Sequence, residues 1–246
     1  MTGAPNTLYK EEVYTAYKRE VLDILVGDLF VVLELQKNTE DSHRSMTKYN
    51  PQDKYSVAFD YLSPYKIEWI PSEDHLGAID DRLGYSKWKR CLDHIEKAEK
   101  NNDMKYKFIV RTRPDLYFAK PLPSPEKLPN DRILINPYYE CLYDIPSGYN
   151  ESWTKNLTLC SLHDRGLSHL FAIVPRDLAD RYMRVGYTAN LPLQVCGGRA
   201  MDPECLIKAM LIKANVTFEM WPFIVKILHS SKSCQNPSWN QFDSWC

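Results

Sequence analysis

The sequence predicts an α/β fold with a mostly parallel central sheet and helices on both faces. Two observations carry that expectation. Helical and extended patterns alternate through the first half of the chain, which is the order that βαβ units require. The run Phe108, Ile109, Val110 is short, continuous and apolar, as in a strand covered on both faces. With 246 residues, 44% hydrophobic and 26% charged, the chain has the composition of an ordinary globular protein, neither disordered nor fibrous. The reading takes residues 1–246 as one domain, with one half to residue 120 and another from residue 121.

In order, Asn6 or Thr7 caps a helix in which Tyr9, Val13, Tyr17 and Val21 recur at helical spacing, and Gly27 ends it. Leu29 to Leu35 reads as a buried strand, followed by a polar loop. Tyr55, Ala58, Phe59 and Leu62 form the inner face of a second helix, and Lys66 to Ile70 a second strand. An acidic stretch leads to a third helix, Tyr85 to Lys100, with Trp88, Leu92 and Ile95 as its core stripe. The strand from Lys105 follows. AKPLPSPEKLPND is too rich in proline for helix or strand. Arg132 to Asn136, Leu170 to Val174, Val216 to Met220 and Phe223 to Leu228 read as further strands, with a helix opening at Pro175 and another at Asp202 and Pro203.

A net charge of −1 gives no basic field for nucleic acid or anionic membrane, so any phosphate site must be local. The longest apolar stretch is broken by Asp23, Asp28 and Glu34 and cannot span a bilayer; membrane attachment is expected only through a segment that this chain does not contain. None of the seven cysteines forms a C-x-x-C pair and no histidine adds zinc spacing. Clustering in loop-like sequence predicts disulfides such as Cys141 with Cys160 and Cys234 with Cys246, and sequons stand at Asn150, Asn156 and Asn215. Both point to a secretory-pathway lumen such as the Golgi, with the cytoplasm as the alternative.

At the end of the Phe108 strand, Arg111, Thr112, Arg113, Pro114 and Asp115 place two cations and a carboxylate where pairing must stop, because Pro114 lacks a backbone donor. Ligands of open α/β sheets bind outside the carboxyl ends of the strands. Asp115 is therefore the first candidate for chemistry. The alternative is an ion-paired turn.

A strand followed by R-x-R-P-D-L and preceded by the helix WKRCLDHIEKAE resembles the glycosyltransferases of the GT-A type. In that family an acidic D-x-D motif, or a variant keeping only its last acid, holds a divalent metal on the diphosphate of a nucleotide sugar. Asp115 matches the last acid and Arg113 stands in the first acidic position. The resemblance implies sugar transfer from a nucleotide diphosphate donor to a hydroxyl of a glycan or protein acceptor. It implies Mn²⁺ or Mg²⁺ held by Asp115 and His229, with Arg111, Arg113 and Lys232 on the diphosphate. Asp202 or Glu204, at a helix start after Gly197 and Gly198, would be the base, and Glu204 is favoured because Asp202 has a capping role. The strand before Pro175 also matches the family, with Ser168 and His169 where an Asp often stands. The family's first strand precedes its first helix, whereas this chain opens on a helical pattern, so that strand is expected to be missing. Arg113 in the acidic slot and the missing strand motivate a second reading, a non-catalytic carbohydrate-binding or scaffold domain. Tyr138, Tyr139, Tyr143, Tyr149 and Trp153 would either stack on sugar or be buried beneath a disulfide.

Overall fold

The computed structural model describes residues 1–3, 7–35, 51–71, 85–137, 167–184, 203–221 and 225–227. These divide between two compact units, one of residues 1–74, 113–127 and 224–246, the other of residues 75–112 and 128–223.

In the first unit, β1 (Thr2–Gly3), β2 (Phe30–Leu35) and β3 (Lys66–Pro71) form a parallel sheet in the order β1-β2-β3. The helices α1 (Glu11–Tyr17) and α2 (Pro51–Leu62) connect them. Val31, Val32 and Leu33 of β2 are fully buried, as are Tyr55 and Ala58 of α2. Removing that apolar surface from water drives the assembly at roughly 25 cal/mol per Å². The two helices meet through Tyr14 and Tyr61, whose ring centroids are 5.3 Å apart. Also in this unit, β5 (Leu116–Phe118) pairs antiparallel with β9 (Val225–Ile227), and Phe118 meets Tyr17 edge to face at 5.6 Å.

The second unit holds α3 (Tyr85–Asn102), β4 (Phe108–Thr112), β6 (Ile133–Pro137), β7 (Leu167–Pro175), α4 (Ala179–Met183), α5 (Pro203–Lys213) and β8 (Phe218–Met220). Its sheet order is β4-β7-β6-β8. β7 runs antiparallel to both β4 and β6, and only β6 and β8 are parallel. Phe171 to Val174 of β7 are buried at every position, as an interior strand requires.

Three expectations need correction. The architecture is mixed α/β, but the sheet carrying β4 is mixed rather than mostly parallel. The apolar run of β4 says nothing of the direction of its neighbours, and its burial is one-sided: in the described sheet β4 is an edge strand in which Ile109 and Arg111 are buried while Phe108 and Val110 are half-buried. The strand before α1 is present: Thr2 and Gly3 pair with Val32 and Leu33, and the Met1 ammonium donates to the Phe30 carbonyl at 2.7 Å. Two residues are too few to show a period in sequence. Finally, the helical stretch that begins with α1 ends one residue before Gly27. Past a π-helical turn (Lys18–Leu22) and a short α turn (Asp23–Leu25), Val26 takes the left-handed conformation (φ 49°, ψ 47°) and its amide donates to the Leu22 carbonyl. No helix among the described residues is long and apolar enough to cross a membrane.

The second unit is tied by ion pairs from α3. Arg176 donates to both oxygens of Glu99 at 2.8 and 2.7 Å, and Arg184 to Asp93 and Glu96 at 2.9 and 2.7 Å. Burial by itself would raise the Glu99 carboxyl, but the hydrogen bonds from Arg176 and the Tyr106 amide, with the charges of Arg176 and Lys105, outweigh it and hold it below its ordinary value.

Two stability predictions follow from these features. A β-branched residue in the left-handed region is strained, and Val26 is also 90% exposed; Val26→Gly should stabilise the chain by about 1 kcal/mol in urea titrations, and a loss of stability would refute the strain. A carboxyl held below its ordinary value stabilises the fold above that value and loses the contribution as protonation sets in. Arg176→Met should therefore cost about 1 kcal/mol at neutral pH, discounted for the water that reaches the pair, and the deficit should fade below about pH 4. A deficit independent of pH would show that packing, not charge, is lost.

Candidate functional site

β4 delivers the RTRPD segment, and the division between the units falls inside it: Arg111 and Thr112 belong to the second, Arg113 to Asp115 to the first. Backbone pairing of β4 ends at Thr112 and resumes in β5 at Leu116. In the turn between them Asp115 is only 1% exposed. Its carboxylate accepts both arms of one guanidinium: Arg113 Nε donates to Oδ1 at 2.8 Å and Nη2 to Oδ2 at 2.6 Å. This two-point geometry is the strongest an arginine makes with a carboxylate. Arg113 thus answers the acid two residues on.

Arg111 is also buried, and its guanidinium carbon lies 4.1 Å from the Trp88 ring centroid. Ile109 and Arg111 share one face of β4 by strand alternation, and that face meets α3 and α4. Trp88 stacks on Tyr182 at 5.3 Å and 16°. Burial pushes the Tyr182 phenol up to about 12, against the opposing pull of Arg111. Its hydroxyl has no hydrogen-bond partner among the described residues. A cation on an aromatic face without water gains on the order of 2 kcal/mol. Arg111 is therefore fixed in direction, and the strand that carries it is a built feature of the second unit's core.

The remaining expected residues fall differently. Glu204 is in the first turn of α5, but its side chain is outside the described set; Asp202, His229, Lys232 and the loop aromatics are outside the described residues altogether, as are the expected disulfide partners. His169 lies in β7 with its side chain undescribed. Each Asp115 oxygen accepts one hydrogen bond from Arg113, and no cluster of three or more metal-ligating side chains occurs among the described residues, a set that excludes His229.

A group that the sequence did not single out stands at the carboxyl ends of the parallel strands in the first unit. β3 starts beside the start of β2, since Lys66 pairs with Phe30, so α2 ends at the amino edge and begins at the carboxyl edge. There Lys54 Nζ lies 3.7 Å from the centroid of the Tyr9 ring. Tyr9 in turn meets Tyr55 edge to face at 6.1 Å, and Tyr55 lies 5.9 Å from Trp69. The spacing of Tyr9 reads as the start of a helical core stripe, yet it belongs to the turn before α1. Nothing in sequence joins Lys54 to it, because the contact spans two elements. Models of known protein families and a search of curated proteins give no match to the chain.

Breaking the fork should expose how much Asp115 depends on it. Arg113→Met leaves a carboxylate buried without its cation and should cost roughly 3 kcal/mol in chemical denaturation, most of it recovered in the double variant with Asp115→Asn. Additive losses in the double variant would show the two residues to be independent.

Proposed function

We propose that the chain is a glycosyltransferase that moves a sugar from a nucleotide diphosphate donor to a hydroxyl acceptor. The observation that carries the reading is the first unit's β-α-β-α-β order in a parallel sheet, β1-β2-β3. That arrangement shares its strand order with mononucleotide-binding halves, whose ligands lie beyond the carboxyl ends of their strands. The charged end of β4 supports it further, with Arg111 buried and directed and Arg113 holding a carboxylate in two-point fashion. A guanidinium paired with a carboxylate in two-point fashion has the same geometric match to a phosphate.

In this reading Arg111 and Arg113 answer charge on the leaving diphosphate, which grows as the glycosidic bond breaks. Glu204 or Asp202 keeps the part of base for the acceptor hydroxyl, and Lys232 that of a further phosphate contact. Mn²⁺ or Mg²⁺ would supply Lewis acidity at the diphosphate. His229, the second expected ligand, lies outside the described residues, so no step is assigned through it. One observation favours the second reading, a non-catalytic carbohydrate-binding or scaffold domain: the fork engages both Asp115 oxygens and leaves the motif's acid self-satisfied.

A panel of nucleoside diphosphates, with and without Mn²⁺, separates the two. At ligand about a hundredfold above Kd, one member should raise the thermal midpoint by roughly 5 to 10 °C, and its nucleotide sugar should be hydrolysed slowly. Stabilisation by glycans alone would replace the transferase with the carbohydrate-binding reading, and no response to either class would remove both.

A further inference from the structure

The chain leaves α5 through a turn that its own backbone closes. The Asn215 amide donates to the Ile212 carbonyl at 3.0 Å, and the Val216 amide reaches back past it to the Leu211 carbonyl at 2.9 Å. This pair of bonds is the Schellman arrangement, in which one residue just beyond the helix takes the left-handed conformation. Asn215 is that residue, with φ 51°, and asparagine tolerates the region better than most residues that carry a side chain. Val216 and Leu211, the two positions between which the motif commonly makes an apolar contact, are both buried. The Thr217 carbonyl then accepts from the Ile133 amide at 3.0 Å, which seats the start of β8 against β6. Main-chain bonds and one buried valine thus hold the turn in place. The side chains of Asn215 and Thr217 take no part in those bonds, and both residues are exposed. A cap accounts for an asparagine or a glycine at residue 215; it asks nothing of residue 217. The triplet Asn215, Val216, Thr217 is also an acceptor sequence for N-linked glycans, and the turn buries its indifferent middle residue while exposing the two that matter.

We propose that Asn215 is a modification site, the acceptor of an N-linked oligosaccharide delivered in a secretory lumen from a lipid diphosphate-linked donor. In the transfer the side-chain amide nitrogen of Asn215 attacks C1 of the donor's first sugar. The N–C1 bond forms, the bond from C1 to the diphosphate oxygen breaks, and the lipid diphosphate leaves with that electron pair; the amide gives up one proton to a base of the transferring enzyme. Thr217 supplies the hydroxyl by which that enzyme recognises the triplet. A glycan is bulky and polar, so the fold has to leave room at its point of attachment. The turn after α5 does so, because the main-chain amide of Asn215, not its side-chain amide, closes the helix. Of the three sequons, that of Asn215 is the one among the described residues. The inference rests on entry of the chain into a secretory lumen and not on sugar transfer by the chain itself, so it and the transferase reading fail separately.

The test is site mapping on the full chain, carried into the endoplasmic reticulum of a cultured eukaryotic cell by an added cleavable signal and recovered from the secretory pathway. Digestion with peptide-N-glycosidase in heavy-oxygen water turns each glycosylated asparagine into labelled aspartate, and trypsin places Asn215 on the peptide 214–226, apart from Asn150 and Asn156. Label on that peptide is expected in the parent, with its loss in Thr217→Ala and its retention in Thr217→Ser. An unlabelled 214–226 peptide in the parent, or label that persists in Thr217→Ala, would overturn the proposal. Asn215→Gly preserves the left-handed cap, so it should keep the parental thermal midpoint while losing the mass of one glycan. A glycan mass unchanged in that variant would place the carbohydrate elsewhere and sink the assignment.

Discussion

A carboxylate with as little contact with water as Asp115 must be met by a cation, and the turn after β4 is arranged around that demand. The ionised group in a low-dielectric setting would cost several kcal/mol if left alone. Arg113 answers it from two residues away with both arms of its guanidinium. Pro114 between them removes a backbone donor and fixes its own φ, which holds the two side chains in the same short turn. The chain passes from one compact unit to the other at this point. Arg111, two residues earlier, is settled by different means, against the π-face of Trp88.

The same principle separates the cations near the strand ends by what they are able to do. Arg113 is occupied and would have to exchange partners before touching a ligand. Arg111 is fixed within a core of aromatic rings. Lys54 alone of these is exposed, held on a ring face and unmatched by any carboxylate among the described residues.

Helix stripes were the most legible part of the sequence. Trp88, Leu92 and Ile95 recur at helical spacing and are buried along α3, and Tyr55, Ala58 and Leu62 likewise in α2. Strands were legible as apolar runs, but not in their direction. Phe171 to Val174 reads the same whether its neighbours are parallel or antiparallel, and in the fold it lies antiparallel to both. β1 was invisible because two residues carry no period; it exists only through its register with Val32 and Leu33. The helix end was misplaced by one residue because glycine is the usual owner of a left-handed turn, whereas here Val26 adopts it.

The sequence by itself determined where helices and strands form and that charge gathers after Val110, since both follow from side-chain chemistry and spacing along one segment. Only the tertiary structure decided what those charges do. Whether Asp115 faces a ligand or an arginine, and whether Lys54 finds an acid or a tyrosine ring, depends on which atoms meet within a few ångströms once the backbone has turned. Electrostatic and π contacts fall away over that distance, and linear order does not encode it.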